Sequence, residues 1–133
     1  MDLAEQILQA QDLPREAVEC PEWGKGQGGK PVTVFVRKPS GLELDAWDNA
    51  NVRVLPDGRR EPDLNNASAR LLVKVLEDEN GRRLFTDAQA PLLGKKAGDV
   101  LGRLFAVAVR LSGRREGDRK NSGPTPAGAS STD

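Results

Sequence analysis

Hydrophobic and polar residues alternate along residues 31–37, and a period of two is typical of a half-buried β-strand. The three valines of this run share one face, and β-branched residues of this kind fit a pleated sheet. A similar alternation precedes it at residues 16–23. The seven residues between the two runs, 24–30, read GKGQGGK and are flexible enough to turn the chain. The pattern therefore predicts an N-terminal β-hairpin with a loose tip.

Elsewhere apolar residues recur every three or four positions, and this spacing predicts five short helices. In chain order, the first runs from Asp2 to before Pro14 and the second from Ser40 to before Pro56. The third runs from Asp63 or Asn65 to Val75, the fourth from Thr86 to Gly94, and the fifth from Val100 to before Ser112. Three of them open with a capping box, in which Asp, Ser or Thr is followed three positions later by Glu or Gln. The last helix carries the widest apolar stripe, whereas the first carries a narrow one and needs a neighbour to be stable.

Asn80 and Gly81 form the dipeptide most typical of a tight hairpin turn, and apolar pairs flank it at residues 75–76 and 84–85. They predict a second, minor β-ribbon. From Arg114 onward, charged residues, Ser, Gly and Pro replace the apolar ones, and such a segment cannot offset the entropy lost on ordering. The predicted fold class is α+β, with the hairpin and the minor ribbon packed with four or five short helices. We expect one globular domain at residues 1–112 and a flexible, disordered tail at residues 113–133.

The composition narrows the kinds of function. The 133 residues include 20 Lys and Arg and 20 Asp and Glu, so the formal net charge is zero, whereas a nucleic-acid-binding domain usually carries a basic excess. The chain has no histidine, the commonest general base and zinc ligand, and its single cysteine excludes an internal disulfide. The start of the chain does not resemble a signal peptide, and no apolar run approaches the roughly 20 residues of a membrane span. We expect a soluble cytoplasmic protein without cofactor or metal.

Two features resemble reactive sites. Residues 24–30 match the G-x-x-x-x-G-K pattern of a phosphate-binding loop, but Pro31 and a predicted strand follow where Ser or Thr and a helix are needed. We interpret the segment as the hairpin tip. Cys20 lacks a histidine to activate it, which favours a buried and inert thiol. Because no catalytic constellation forms, the sequence indicates binding or assembly rather than an enzyme.

The apolar residues leave two interpretations open. Trp47 is expected in the core, whereas Trp23, at a strand end beside the glycine loop, suits the core and a partner contact about equally. The stripe of the last helix is expected to be core first, with a partner-facing part as the alternative.

Seven short segments follow one another in a characteristic order. They are VECPEWG at 18–24, VFVR at 34–37, SGLELDAW at 40–47, LLV at 71–73, DENGRRLFTD at 78–87, LGRLF at 101–105 and LSG at 111–113. Together they resemble the tail assembly chaperones of long-tailed bacteriophages and prophages, over most of residues 1–113.

The resemblance implies a non-enzymatic chaperone of the host bacterial cytoplasm that is absent from the mature virion. It would bind the tape measure protein, keep it soluble and help recruit tail tube subunits, and such proteins often self-associate. We expect no nucleic-acid or membrane partner. On this basis the expected partner-binding residues are Leu101, Leu104, Phe105 and Ala108, followed by Trp23, with apolar helix faces meeting stripes on the tape measure protein.

Two other functions stay open at this stage. One is a small structural tail completion or connector protein, which would be retained in the virion. The other is a regulatory subunit of an unrelated cytoplasmic protein, which the gene neighbourhood would reveal.

Overall fold

The computed structural model describes residues 2–114. The helices are α1 (Leu3–Gln9), α2 (Gly41–Ala50), α3 (Ala67–Val75), α4 (Ala90–Leu93) and α5 (Gly98–Ser112). The strands are β1 (Arg15–Glu19), β2 (Thr33–Arg37), β3 (Val52–Val54), β4 (Arg60–Pro62) and β5 (Leu76–Glu77). Short 3₁₀ turns lie at Pro21–Trp23, Gln27–Gly29 and Asp87–Gln89. The architecture confirms the predicted α+β class, and the predicted tail lies outside the described residues from position 115 onward.

The main sheet has the order β1-β2-β5 and is antiparallel throughout. The predicted hairpin forms its first two strands, with Val18 opposite Val34. Val34 and Val36 are buried, as their alternation predicts. The first strand is shorter than predicted, because it ends at Glu19 and a 3₁₀ turn begins at Pro21, which has no N–H for a ladder.

The prediction of the second helix is wrong at its C-terminal end. α2 opens with the predicted capping box at Ser40 and Glu43, but it stops at Ala50 rather than before Pro56. Val52–Val54 instead pairs with β4, and the predicted helix end at Pro56-Asp57-Gly58 is the turn that joins the two strands. The physical reason is the alternation of β-branched residues at 52 and 54, which suits a ribbon better than a last helical turn.

The Asn-Gly turn is confirmed, but the predicted minor ribbon is not a separate one. Gly81 adopts a φ of +83°, and the Leu84 N–H donates to the Leu76 carbonyl at 2.9 Å across the turn. Leu76–Glu77 joins the main sheet beside β2, so the separate two-stranded ribbon of this fold is β3–β4.

The start of α3 also differs from its prediction. Its N-cap is Asn66, with a left-handed φ of +57°, rather than Asp63 or Asn65. The Asn66 side chain donates to the Ala90 carbonyl at 2.9 Å and so ties α3 to α4. Gly94 lies against it so closely that an added Cβ would sit 2.8 Å from the Asn66 Cγ.

The core lies between α3, α5 and the main sheet. Leu71, Leu72, Val75 and Leu104 are among its fully buried side chains. Trp47 of α2 completes it, as expected, and its indole N–H donates to the Ala67 carbonyl at 2.8 Å. The α5 helix ends at Gly113 in the left-handed conformation, which confirms the predicted stop.

Candidate interaction surfaces

The residues expected to bind a partner occupy two different environments. Leu101, Leu104, Phe105 and Ala108 are each at most 7% exposed and face the core. In this conformation none of the four is accessible to a partner, and their role in binding stays a prediction that would require α5 to separate from the rest of the chain. Trp23 is half-buried beside the hairpin tip.

Ion pairs hold α5 against the hairpin. Arg103 binds the Glu22 carboxylate through two hydrogen bonds of 2.6 and 3.2 Å, and Arg110 binds Glu16 of β1 at 2.6 Å. The hydrogen bonds from Arg103 lower the pKa of Glu22 below its ordinary value. These contacts add to the apolar packing and keep α5 in place.

Cys20 lies beneath this contact. It is fully buried, and burial raises the pKa of its thiol. The expectation of a buried thiol is confirmed.

A second charged cluster is largely internal and joins four elements, β2, α2, α3 and β5. Arg37 of β2 donates to both carboxylate oxygens of Glu43 at 2.9 and 2.7 Å, to Glu77 at 2.8 Å and to the Lys74 carbonyl at 2.9 Å. Burial raises the pKa of Glu43, but the hydrogen bonds from Arg37 and the Ser40 N–H outweigh burial, so its pKa is lowered. Both carboxylate oxygens of Glu43 are therefore engaged in hydrogen bonds within the fold.

The glycine loop is the tip of the hairpin, as expected. Lys25 and Pro31 form an isolated antiparallel bridge across it, and three of its glycines have φ between +72° and +97°. The chain then enters β2 rather than a helix. The backbone N–H groups that a helix start would offer to a phosphate are therefore lacking at this loop.

The helix α1 is exposed, and its sequence pattern predicted its N-cap but not its exposure. The Asp2 side chain accepts from the Glu5 N–H at 2.8 Å, which confirms the predicted cap. Its apolar stripe, however, has no partner within residues 2–114: Leu3 is 69% exposed, Ile7 62% and Leu8 84%. The predicted need for a neighbour is therefore not met by the described part of this chain.

A groove lies on the side of the molecule where α2 and α4 flank α3. Its larger part encloses about 780 Å³, and a smaller part of about 200 Å³ adjoins it through Ala50, Arg70 and Asp87. Alanines and polar or charged side chains such as Arg70 and Lys95 line it together, and the buried Trp47 and Val73 line only its smaller part. Residues drawn from separate segments carry no periodic signal, so the sequence does not reveal the groove.

Among residues 2–114, no three Cys, Asp or Glu side chains are placed to share a metal ion. None of the helices in the same range is long and apolar enough to cross a membrane.

The described residues thus form a small α+β domain with an exposed apolar helix and an open groove. Comparison with solved structures agrees on the fold. The tail assembly chaperone of bacteriophage HK97 superposes with a TM-score of 0.57 at 23% identity, covering 85% of this chain and 96% of that one.

The family is settled by sequence. The family model of phage tail assembly chaperones matches residues 3–122, and the chain belongs to that family. A search of curated proteins finds no match. The resemblance identified from the short segments is thereby confirmed.

Proposed function

We propose that this protein binds the tape measure protein while a phage tail is being built, keeps it soluble and helps recruit tail tube subunits around it. The observation that carries the proposal is the family match over residues 3–122. It acts in the host cytoplasm and leaves before the virion is complete. Its role is non-enzymatic, since family members act by holding other proteins.

The contact proposed for the tape measure protein centres on Trp23. Among the expected binding residues it is the partly accessible one, and tryptophan is enriched at binding hot spots. The Arg103–Glu22 ion pair links the 3₁₀ turn that carries Trp23 to α5. Leu101, Leu104, Phe105 and Ala108 would join the contact only if α5 opened, in which case they would offer a wide apolar helix face.

Co-expression with the tape measure protein tests this function. We expect this chain to rescue a partner that is insoluble alone and to be recovered with it in a pull-down. Trp23→Ala should lower that recovery while leaving the circular dichroism spectrum unchanged. Val54→Ala, which also trims an exposed apolar residue, is the matched control and should bind normally.

The opposite outcome has a clear meaning. If the partner stays insoluble, no complex forms and the protein is found in purified particles, the protein is a structural tail component instead.

A further inference from the structure

We propose that the groove between α2 and α4 binds an acidic linear segment of another protein. Carboxylates of that segment would lie on Arg70 and Lys95, and one of its aliphatic side chains would enter the smaller part of the groove. Trp23 does not line this groove, so the proposal stands apart from the contact proposed for the tape measure protein.

The groove has the size and shape of a peptide site. Its larger part encloses about 780 Å³, which lies within the range of about 300–1,000 Å³ that is usual for ligand sites. The end of α2, the start of α3, and α4 with the residues that follow it form its walls. Because the groove is open along one side, a peptide chain can lie across it with both of its ends in solvent.

Hydrogen bonds hold these walls together. The Asn66 side chain donates to the Ala90 carbonyl at 2.9 Å and joins the start of α3 to α4. The Arg70 guanidinium donates to the Asp63 carbonyl at 3.0 Å and to the Asn65 carbonyl at 2.9 Å, which fixes the segment that precedes α3. A surface that is already ordered in this way loses little conformational freedom on binding.

Two cations of the groove lack a carboxylate partner within residues 2–114. All the oxygens that accept from Arg70 are neutral, and they belong to the Asn51 side chain and to the Asp63 and Asn65 carbonyls. Lys95 is exposed and forms no ion pair in the same range. Both side chains can therefore accept an additional carboxylate.

The acidic side chains of the groove do not cancel this charge. Asp87 lies between Lys74, at 3.2 Å, and Arg83, and the hydrogen bond from Arg83 lowers the pKa of Asp87 below its ordinary value. Asp63 is the other acid of the lining, and its carboxylate accepts from the Asn65 N–H at 3.2 Å. The groove and its rim thus carry four basic side chains against two acidic ones, and complementary charge favours an acidic partner.

The smaller part of the groove is what favours a peptide over a phosphate or a nucleic acid. It encloses about 200 Å³ and contacts the buried side chains of Trp47 and Val73. The Trp47 indole N–H already donates to the Ala67 carbonyl, so the ring offers an apolar surface. An aliphatic side chain between acidic residues therefore fits the two parts together.

Selection of random peptides on the immobilised full chain tests the proposal. The enriched peptides should contain more Asp and Glu than Lys and Arg, and they should share an aliphatic position. One enriched peptide, synthesised and added to the protein, should shift the NMR signals of residues 63–70 and 87–95. Its affinity should fall as salt is added, because salt screens exposed charges.

Lys95→Glu reverses one charge of the groove at an exposed position. It should weaken binding of the selected peptide by about tenfold or more, since like charges are then opposed. Lys25→Glu makes the same change at the exposed hairpin tip, outside the groove, and should bind like the wild type. Exchanging the peptide's acids for amides, or its aliphatic residue for alanine, should weaken binding to the wild type.

Other outcomes overturn the proposal. It fails if no peptide is enriched, if the enriched peptides are basic or carry no charge, or if Lys25→Glu weakens binding as much as Lys95→Glu. It also fails if inorganic phosphate displaces the peptide and shifts the same signals as strongly, because the site would then bind small anions. Should Lys95→Glu lose its native circular dichroism, Lys95→Gln replaces it, with a smaller loss of affinity expected.

Discussion

The helices α1 and α5 share an apolar stripe in sequence and differ in the structure. Both carry leucines at helical spacing. Leu104 of α5 is fully buried between α3 and the sheet, whereas Leu8 of α1 is 84% exposed. Hydrophobic periodicity thus tells which side of a helix is apolar. It does not tell whether the partner of that side belongs to the same chain.

The difference follows from the width of the stripes and from connectivity. The buried side of α5 includes Val100, Leu101, Leu104, Phe105 and Ala108, and ion pairs from Arg103 and Arg110 hold its rim. A stripe of three residues on a seven-residue helix covers much less area, and area sets the hydrophobic free energy. The long helix α5 forms part of the core, whereas the apolar stripe of the short helix α1 stays exposed within residues 2–114.

The largest expected contrast comes from removing one leucine of each helix. Leu104→Ala should lower the free energy of unfolding by about 2–5 kcal/mol, because it loses buried area and leaves a cavity. Leu8→Ala should change it by less than about 0.5 kcal/mol in dilute solution. Urea denaturation followed by circular dichroism measures both. Equal losses for the two variants would mean that α1 packs on its own chain.

A pair of glycines extends the contrast to a crowded and an open position. Gly94→Ala should cost about 2–3 kcal/mol, because the new methyl group displaces the Asn66 side chain from the Ala90 carbonyl. At Gly102, on the outer side of α5, a Cβ meets no atom within 4 Å.

Gly102→Ala should therefore stabilise the protein by about 0.5–1 kcal/mol through helix propensity. Thermal unfolding shows whether each substitution raises or lowers the stability. A Gly94→Ala variant that is more stable than the wild type would contradict the close contact with Asn66.

The next contrast concerns acids and pH. The pKa of Glu43 is lowered in the folded state, so its ionised form stabilises the fold above its ordinary value of 4.5, and this contribution is lost as pH falls through the lowered value. Glu43→Gln should cost about 1–2 kcal/mol at pH 7, and the difference should shrink below pH 4.5.

The matched control is Glu5→Gln on the exposed α1, which should change the stability by less than about 0.5 kcal/mol. A difference for Glu43→Gln that persists unchanged into strong acid would show that the carboxylate charge has no part in the cluster.

The smallest expected effect is confined to α1. Asp2→Ala removes the hydrogen bond to the Glu5 N–H, and losing such a cap costs about 1 kcal/mol of helix stability. Because α1 contributes no buried residue to the core, residues 3–9 should lose helix while the midpoint of global unfolding stays the same. NMR chemical shifts would report the loss of helix at residues 3–9, and urea denaturation would give the midpoint of global unfolding. A shifted midpoint would contradict the independence of α1.

Much of the fold could be predicted because local signals and tertiary contacts agree. For the valines of β2, the capping box at Ser40 and the apolar stripe of α5, the local sequence pattern and the tertiary packing favour the same structure. The predictions are wrong where the local pattern and the tertiary contacts favour different structures. Val54 continues the helical spacing of α2, yet it lies in β3, which pairs with β4.

Other features had no local signal. Asn66 caps α3 in a left-handed conformation because it reaches Ala90, 24 residues away, and no spacing rule predicts such a contact. The groove is assembled from α2, α3 and α4 and is invisible in any single segment. The exposure of Leu8 was missed because an apolar stripe is usually assigned to the core of its own chain.

Hydrogen exchange of the amides of α1 and α5 in dilute solution, followed by mass spectrometry, tests the central claim directly. The amides of residues 3–9 should exchange far faster than those of residues 101–105, which open only with global unfolding. Equal protection of α1 and α5 in the dilute monomer would contradict the division between an outward and an inward helix.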